Sequence, residues 1–156
     1  MHIAKYTKSA AGHMLAHYDR AKDENGKYVT DGRKNIDPTR THLNYVVGGD
    51  YEMAAQRLQW LLDREDVKCL NRKDVNVICD VIITAPQDLP VQDQRKFFEV
   101  AYNFLADRYG VKNSFGYYDN ILSSNVHMDE TSPHMHFAFV PLVKVSKIDK
   151  KTGEQK

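Results

Sequence analysis

The chain has only two cysteines, Cys69 and Cys79, in 156 residues. They form no Cys-x-x-Cys, which excludes a thiolate zinc site, a dithiol redox motif and a disulfide framework. Also missing are any apolar run of membrane-spanning length, any recognisable signal-peptide pattern, internal repeats and low-complexity linkers. Reduced thiols in a cytoplasm and no membrane contact are the corresponding expectations. Charge of one sign is scarce as well, the formal net charge being +1. A generally cationic protein is excluded, and a polyanion would have to meet a local basic face. Lys5, Lys8, Arg20, Lys22, Arg33, Lys34 and Arg40 supply one candidate in the N-terminal third, partly offset by Asp19 and Asp23. With 42% hydrophobic and 28% charged residues, the chain fits one domain with a sizeable core.

Histidine, in contrast, is concentrated. Three of seven fall within the ten residues His127-Met128-Asp129-Glu130-Thr131-Ser132-Pro133-His134-Met135-His136. Side chains alternate faces along a strand, so His134 and His136 share one face while Met135, Phe137 and Phe139 take the other. Asn125-Val126-His127 reads as the end of a neighbouring strand, and Thr131-Ser132-Pro133 turns the chain so that His127 comes alongside the pair. Three imidazoles with open positions beside them suit one catalytic divalent ion. Glu130 and Asp129 are close enough to accept an imidazole N–H or to add a ligand. The ordinary alternative is a polar strand end with solvated histidines.

These residues carry a family resemblance. The segment His127 to Phe137 resembles the metal motif of the MobV-type plasmid mobilisation and recombination proteins, the Pre/Mob relaxases. Asn35-Ile36-Asp37-Pro38-Thr39-Arg40-Thr41-His42-Leu43-Asn44-Tyr45 resembles their N-terminal signature, and Arg72-Lys73-Asp74, Cys79-Asp80 and Ile82-Ile83-Thr84 fall in order between the two. The resemblance implies a bacterial nickase of the HUH endonuclease group, acting on single-stranded or hairpin DNA at a plasmid transfer origin. It implies one divalent ion, manganese first and Mg, Co, Ni or Zn as alternatives, held by His127, His134 and His136. His17 matches the histidine that attacks DNA, with His13 one turn earlier as a competitor; Arg20 would hold a phosphate and Glu130 completes the catalytic set. Lys5, Arg40, Asn44, Tyr45 and Arg72 are the expected DNA contacts, and coupling or accessory transfer proteins the expected further partners.

The chemistry can be argued without the family. A phosphodiester resists nucleophiles because its oxygens are anionic, and a divalent ion neutralises that charge. A neutral imidazole could attack phosphorus and form a phosphoramidate that a returning 3′ hydroxyl reverses. Histidine, with an ordinary pKa near ~6.5, is expected to need no general base for this, whereas tyrosine, near ~10, would. Two other readings stand beside it: a relaxase or replication initiator that attacks through Tyr45, Tyr18 or Tyr6, and a non-catalytic origin-binding module whose metal only holds the hairpin.

Periodicity predicts the order β-α-β-α-β-α-β-β, an α+β fold with a mainly antiparallel sheet of about five strands, helices packed over it and a central metal-bearing strand pair. The elements are a strand over His2–Thr7, a helix capped by Ser9 and running to about Asp23, and a polar loop Glu24–Thr41. Leu43–Val47 follows as a strand, and then a helix capped by Asp50 with Tyr51, Ala54, Ala55, Leu58, Leu61 and Leu62 inward. Val75–Thr84 reads as a buried strand. A helix from Pro90 to Tyr109 turns Phe97, Phe98, Ala101 and Leu105 inward and ends at Gly110; Val111–Asp119 is ambiguous, with one more helical turn as the expectation. Ile121–Met128 and His134–Val143 complete the sheet. His13, His17 and Arg20 fall at i, i+4, i+7 on one helix face. Lys147–Lys156 resembles a hairpin whose second strand has barely begun, so residues 1–156 read as the relaxase domain of a longer protein.

Overall fold

The computed structural model describes residues 1–28, 35–48 and 53–143. Its elements are β1 (His2–Thr7), α1 (Lys8–Tyr18), β2 (Tyr45–Val46), α2 (Ala54–Leu62), β3 (Asn76–Thr84), α3 (Val91–Tyr109), β4 (Ile121–His127) and β5 (His134–Phe139), in the order the periodicity predicts. A single 3₁₀ turn, Thr41–Leu43, precedes β2. The strands form one sheet in the order β1-β3-β5-β4-β2, and every neighbouring pair is antiparallel.

Both faces of this sheet are covered. α1 and α2 pack over Ile78, Leu122 and Ala138, while α3 packs over Val81, Met135 and Phe137 on the reverse. Burial on two sides turns the central strands into nearly continuous apolar runs and hides the period-2 signal of a half-exposed strand. In β4 only Asn125 escapes full burial. A register shift after Ile121 leaves Leu122 without a cross-strand partner, so Ile121 enters the α3 core and its neighbour Leu122 the α1/α2 core. Full burial of side chains such as Leu61, Phe98 and Phe137 stabilises the fold by about 1.5–3 kcal/mol each.

The departures from expectation have local causes. α1 begins at Lys8 with Thr7 as its N-cap and stops at Tyr18, so Ser9 is not the cap and the helix does not reach Asp23. Arg20 lies beyond its end with φ 48°, the one left-handed non-glycine residue among those described; it does not continue the helical face of His13 and His17. Leu43 belongs to the 3₁₀ turn instead of a strand. α2 buries Ala54, Leu58 and Leu61, whereas Ala55 faces out; Gly49, Asp50 and Tyr51 lie outside the described residues, as does 147–156. In α3, Tyr102 and Ala106 are buried, while Phe97 and Ala101 only border the core. Val111–Asp119 is no helical turn but a small hairpin with a Lys112–Tyr118 bridge. Asn113 Oδ1 accepts from Phe115 N and Tyr117 N, and Gly116 takes the positive φ the turn needs. β4 ends at His127 and β5 at Phe139, shorter than the apolar runs suggest.

Candidate active site

Cross-strand register builds the histidine cluster. His127 lies directly opposite His134, and Asn125 opposite His136, so alternation turns Asn125, His127, His134 and His136 toward the α1 side of the sheet. The C-terminal turn of α1 lowers His17 onto them. One nitrogen from each of His17, His127, His134 and His136 lies within 4.8 Å of the others, and the His17 ring sits 4.9 Å from that of His127 and 5.1 Å from that of His136. His13, one turn back, is exposed and takes no part in the cluster.

Hydrogen bonds fix which nitrogen of each ring is free. His127 Nε2 donates to the Tyr18 carbonyl at 3.1 Å, His134 Nδ1 to the Ser132 carbonyl at 2.8 Å, and His136 Nδ1 to Asp80 Oδ2 at 2.8 Å. A carbonyl or carboxylate can only accept, so each remaining nitrogen, Nδ1 of His127 and Nε2 of the other two, keeps its lone pair. Two of these, His127 Nδ1 and His136 Nε2, are buried and accept no hydrogen bond among the described residues. Buried lone pairs lacking a donor are costly, and three converging ones suit a divalent cation. Burial, assisted by the charges of Arg20 and His136, also pushes His127 down to about 4, and burial lowers His134 as well. Both rings are therefore neutral, as ligands must be.

Asp80 was not among the candidate residues of the sequence. A carboxylate within the apolar strand Val77–Ile83 was the visible signal. It is fully buried and accepts from both His136 and the Tyr18 hydroxyl at 3.0 Å, orienting the imidazole from behind. Asp129 and Glu130, expected to accept an imidazole N–H or to add a ligand, both pair with Arg20, and Glu130 alone also faces the imidazoles. Arg20 Nε and Nη2 form a fork onto Asp129 at 2.9 and 2.8 Å, and Nη2 reaches Glu130 Oε1 at 2.6 Å. Thr41 Oγ1 donates to Asp129 at 2.8 Å and Asn35 Nδ2 to Glu130 at 2.9 Å, tying the N-terminal signature to the histidine motif. Glu130 overhangs the cluster, with Oε1 3.6 Å from His17 Nε2 and 3.7 Å from His127 Nδ1. Burial alone would raise its carboxyl, but His127, Arg20 and the other imidazoles outweigh that and hold it well below the carboxylate range.

Arg20 Nη1 donates to His17 Nδ1 and to the His17 carbonyl, each at 2.9 Å. All three guanidinium nitrogens are thus engaged within the protein, which sets Arg20 to orient His17 and not to present an open phosphate clamp. Because arginine only donates, neutral His17 carries its hydrogen on Nε2, the atom facing the cluster. In that tautomer a histidine nucleophile, expected from the sequence to need no base, would have to hand the Nε2 hydrogen to an acceptor.

Of the expected DNA contacts, Asn44 and Tyr45 border a cleft beside His127 and Arg20, and the exposed Arg40 immediately precedes Thr41. Lys5 pairs with Cys79, which belongs to the α3 side, so it faces away from the histidines. Arg72 lies before β3, whose far end, Thr84, is the one beside His134, and it is paired with Asp74 at 3.2 Å. The structure does not bring these two to the site.

The family model described as plasmid recombination enzyme, Mob_Pre, matches residues 1–156. The chain belongs to this family. A plasmid recombination enzyme of Lactiplantibacillus plantarum is 31% identical over 96% of the chain and 40% of its own length, and one of Streptococcus agalactiae is 33% identical over 89% and 28%. The chain therefore spans less than half of these curated family members. Among solved structures, the manganese-bound MobM relaxase domain in complex with plasmid pMV158 oriT DNA superposes with a TM-score of 0.69 at 28% identity, covering 99% of this chain and 72% of that one. The family's α+β architecture, with a five-stranded antiparallel sheet, is the one expected from the sequence.

Proposed function

We propose that the chain is the nicking domain of a plasmid mobilisation protein, a metal-dependent relaxase that cuts single-stranded transfer-origin DNA and stays joined to the new 5′ phosphate through His17. The observation that carries this reading is the convergence of His17 Nε2 with three imidazole lone pairs whose tautomers are fixed from behind. His127, His134 and His136 would hold one divalent ion, and manganese is favoured because a relative of the same fold binds it beside origin DNA. When bound, the ion would neutralise phosphate charge and draw the phosphorus toward attack.

The protein's own groups supply the rest. Arg20 holds His17 by Nδ1, so Nε2 faces the cluster. As Nε2 bonds to phosphorus, its hydrogen passes to Glu130, which is ionised and 3.6 Å away; the P–O3′ bond breaks, and the same hydrogen passes on to the leaving 3′ oxygen. The phosphoramidate keeps its Nδ1 lone pair on Arg20, and reversal of these steps rejoins the strand. Arg40, Asn44 and Tyr45 would meet DNA at the site, whereas Lys5 and Arg72 could touch only strand that wraps beyond it. Coupling or accessory transfer proteins would engage surfaces outside the site, in a bacterial cytoplasm.

The tyrosine reading fares worse on geometry. The Tyr45 ring lies under the Arg95 guanidinium at 4.9 Å, the Tyr18 hydroxyl is bonded to Asp80 with the residue 1% exposed, and Tyr6 packs against the α1/α2 core. Mass spectrometry of the protein–DNA adduct, formed with manganese and pMV158 origin DNA, tests both readings. His17→Ala should bind DNA and form no adduct, and Tyr45→Phe should still form it; the reverse pattern would move the attack to tyrosine. Binding without any metal-dependent cleavage would leave an origin-binding module.

A further inference from the structure

Thr41, His42 and Leu43 make the single 3₁₀ turn beside the site, and of the three only Thr41 is turned inward, Leu43 staying 47% exposed. A threonine in such a turn ordinarily bonds the backbone next to it. Thr41 does not. The turn closes through its carbonyl, which accepts from Asn44 N at 3.1 Å, and no side chain caps the start. The hydroxyl is committed instead to Asp129 Oδ2, 88 positions away.

Asp129 is fully buried and stands between that hydroxyl and Arg20. Its Oδ2 accepts from Thr41 and from Arg20 Nε, its Oδ1 from Arg20 Nη2, and the Asn44 side-chain nitrogen is a further donor to the carboxylate. A carboxylate turns readily about its last bond, because that torsion has broad wells. A two-bonded fork turns with it, whereas a donor arriving from another element restrains both. Arg20 depends on such restraint, since it holds φ 48°, a left-handed conformation unfavourable to any residue with a Cβ. Its Nη1 meets His17 Nδ1 at 2.9 Å and keeps Nε2 toward the cluster.

We infer that Thr41 is a positioning residue for the attacking imidazole: its hydroxyl fixes the Asp129 carboxylate, the carboxylate fixes the Arg20 fork, and Arg20 fixes the His17 ring. The inference rests on the nickase reading and adds to it a group that never meets DNA or metal. A purely structural role is separable, because segment 35–44 is anchored without this hydroxyl. Asp37 N donates to the Asp129 carbonyl at 2.8 Å, and Met128 N donates to Asn44 Oδ1 at 2.7 Å. The three strand-borne imidazoles are oriented by the Tyr18 and Ser132 carbonyls and by Asp80, acceptors outside this relay.

Thr41→Val keeps the branched shape and removes the hydroxyl. With saturating manganese and pMV158 origin DNA, single-turnover adduct formation should slow by about 10-fold or more, while the half-saturating DNA concentration and the calorimetric manganese affinity stay within about 2-fold of the parent. Thr41→Ser should restore the rate. NMR of the manganese-free chain reads the same relay without DNA. The Arg20 guanidinium N–H resonances, held apart in the parent by the fork, should broaden or merge in Thr41→Val, and the His17 ring should become a mixture of tautomers. A variant that forms adduct at the parent rate, or whose Arg20 and His17 resonances are unchanged, overturns the inference. Parallel losses of rate, manganese affinity and melting temperature would leave Thr41 a structural residue only and overturn it as well. If the parent nicks nothing while the resonances respond as expected, the nickase reading fails and the orientation of His17 by Thr41 stands.

Discussion

Each of the three strand-borne imidazoles in this cluster is oriented by a partner behind it, and the dependence least readable from sequence is that of His136 on Asp80. A buried carboxylate sharing one oxygen between an imidazole and the Tyr18 hydroxyl, its other oxygen unpartnered among the described residues, is poor for stability and good for holding a ligand. Asp80→Asn should therefore weaken manganese binding by roughly 10-fold or more while the metal-free protein melts no lower than the parent. Isothermal titration with manganese and a thermal melt check the two halves; unchanged affinity, or a collapsed melt, would remove Asp80 from its assigned role. The histidines themselves were legible because a strand period of two and a turn suffice to bring them together. Asp80 was not, because its partner lies 56 positions away and only the β3–β5 register makes them neighbours. For the same reason Arg20 was misjudged: its helical spacing from His17 was visible, but the carboxylates that claim its guanidinium are 109 and 110 positions distant.

At the level of elements, periodicity located the three α-helices and the five sheet strands among the described residues, and errors collected at their ends and in the turns between them, which single contacts decide. Gly110 illustrates this. A glycine after a helix suggests a left-handed cap, yet its φ is −75°, open to any residue. What excludes a side chain there is the Tyr118 ring of the following hairpin together with the Ala106 carbonyl 2.5 Å from the position a Cβ would take. The ring is itself fixed by its hydroxyl on Asp107 at 3.0 Å and by Lys112 over its face at 5.0 Å. Gly110→Ala should accordingly destabilise the chain by about 1–3 kcal/mol through overpacking. Urea unfolding would show it as a lower midpoint with an unchanged slope. If Tyr118→Ala in the same background recovers none of the loss, the ring takes no part in the clash and the Ala106 carbonyl alone would have to cause it. The short hairpin 112–118 eluded the sequence reading because its strands contribute only one bridge, too little for a periodic signal.

For the molecule as a whole, folding the site has a cost that pH exposes. Burial holds His127 at about 4 in the folded chain against an ordinary 6.5, so between those values the unfolded chain binds more protons and stability must fall as pH is lowered. Asp129 extends the loss. Its burial would raise the carboxyl, but the hydrogen bonds from Arg20 and Thr41 win and hold it at about 2 against 3.8, a contribution present above 3.8 and lost as pH falls toward 2. Asp19, which burial pushes upward, works the other way just above 3.8 and moderates the slope there. The melting temperature of the chain in excess chelator should therefore decline continuously from neutral pH into the acid range, beginning below about 6.5 where only histidine titrates. His127→Gln should flatten the upper part of that decline and leave the lower part in place, because it removes the imidazole and keeps the Arg20–Asp129 fork. A melting temperature that holds or rises between neutrality and about 4 would mean that His127 is solvated, and with it the argument that its free nitrogen is waiting for a metal would fall.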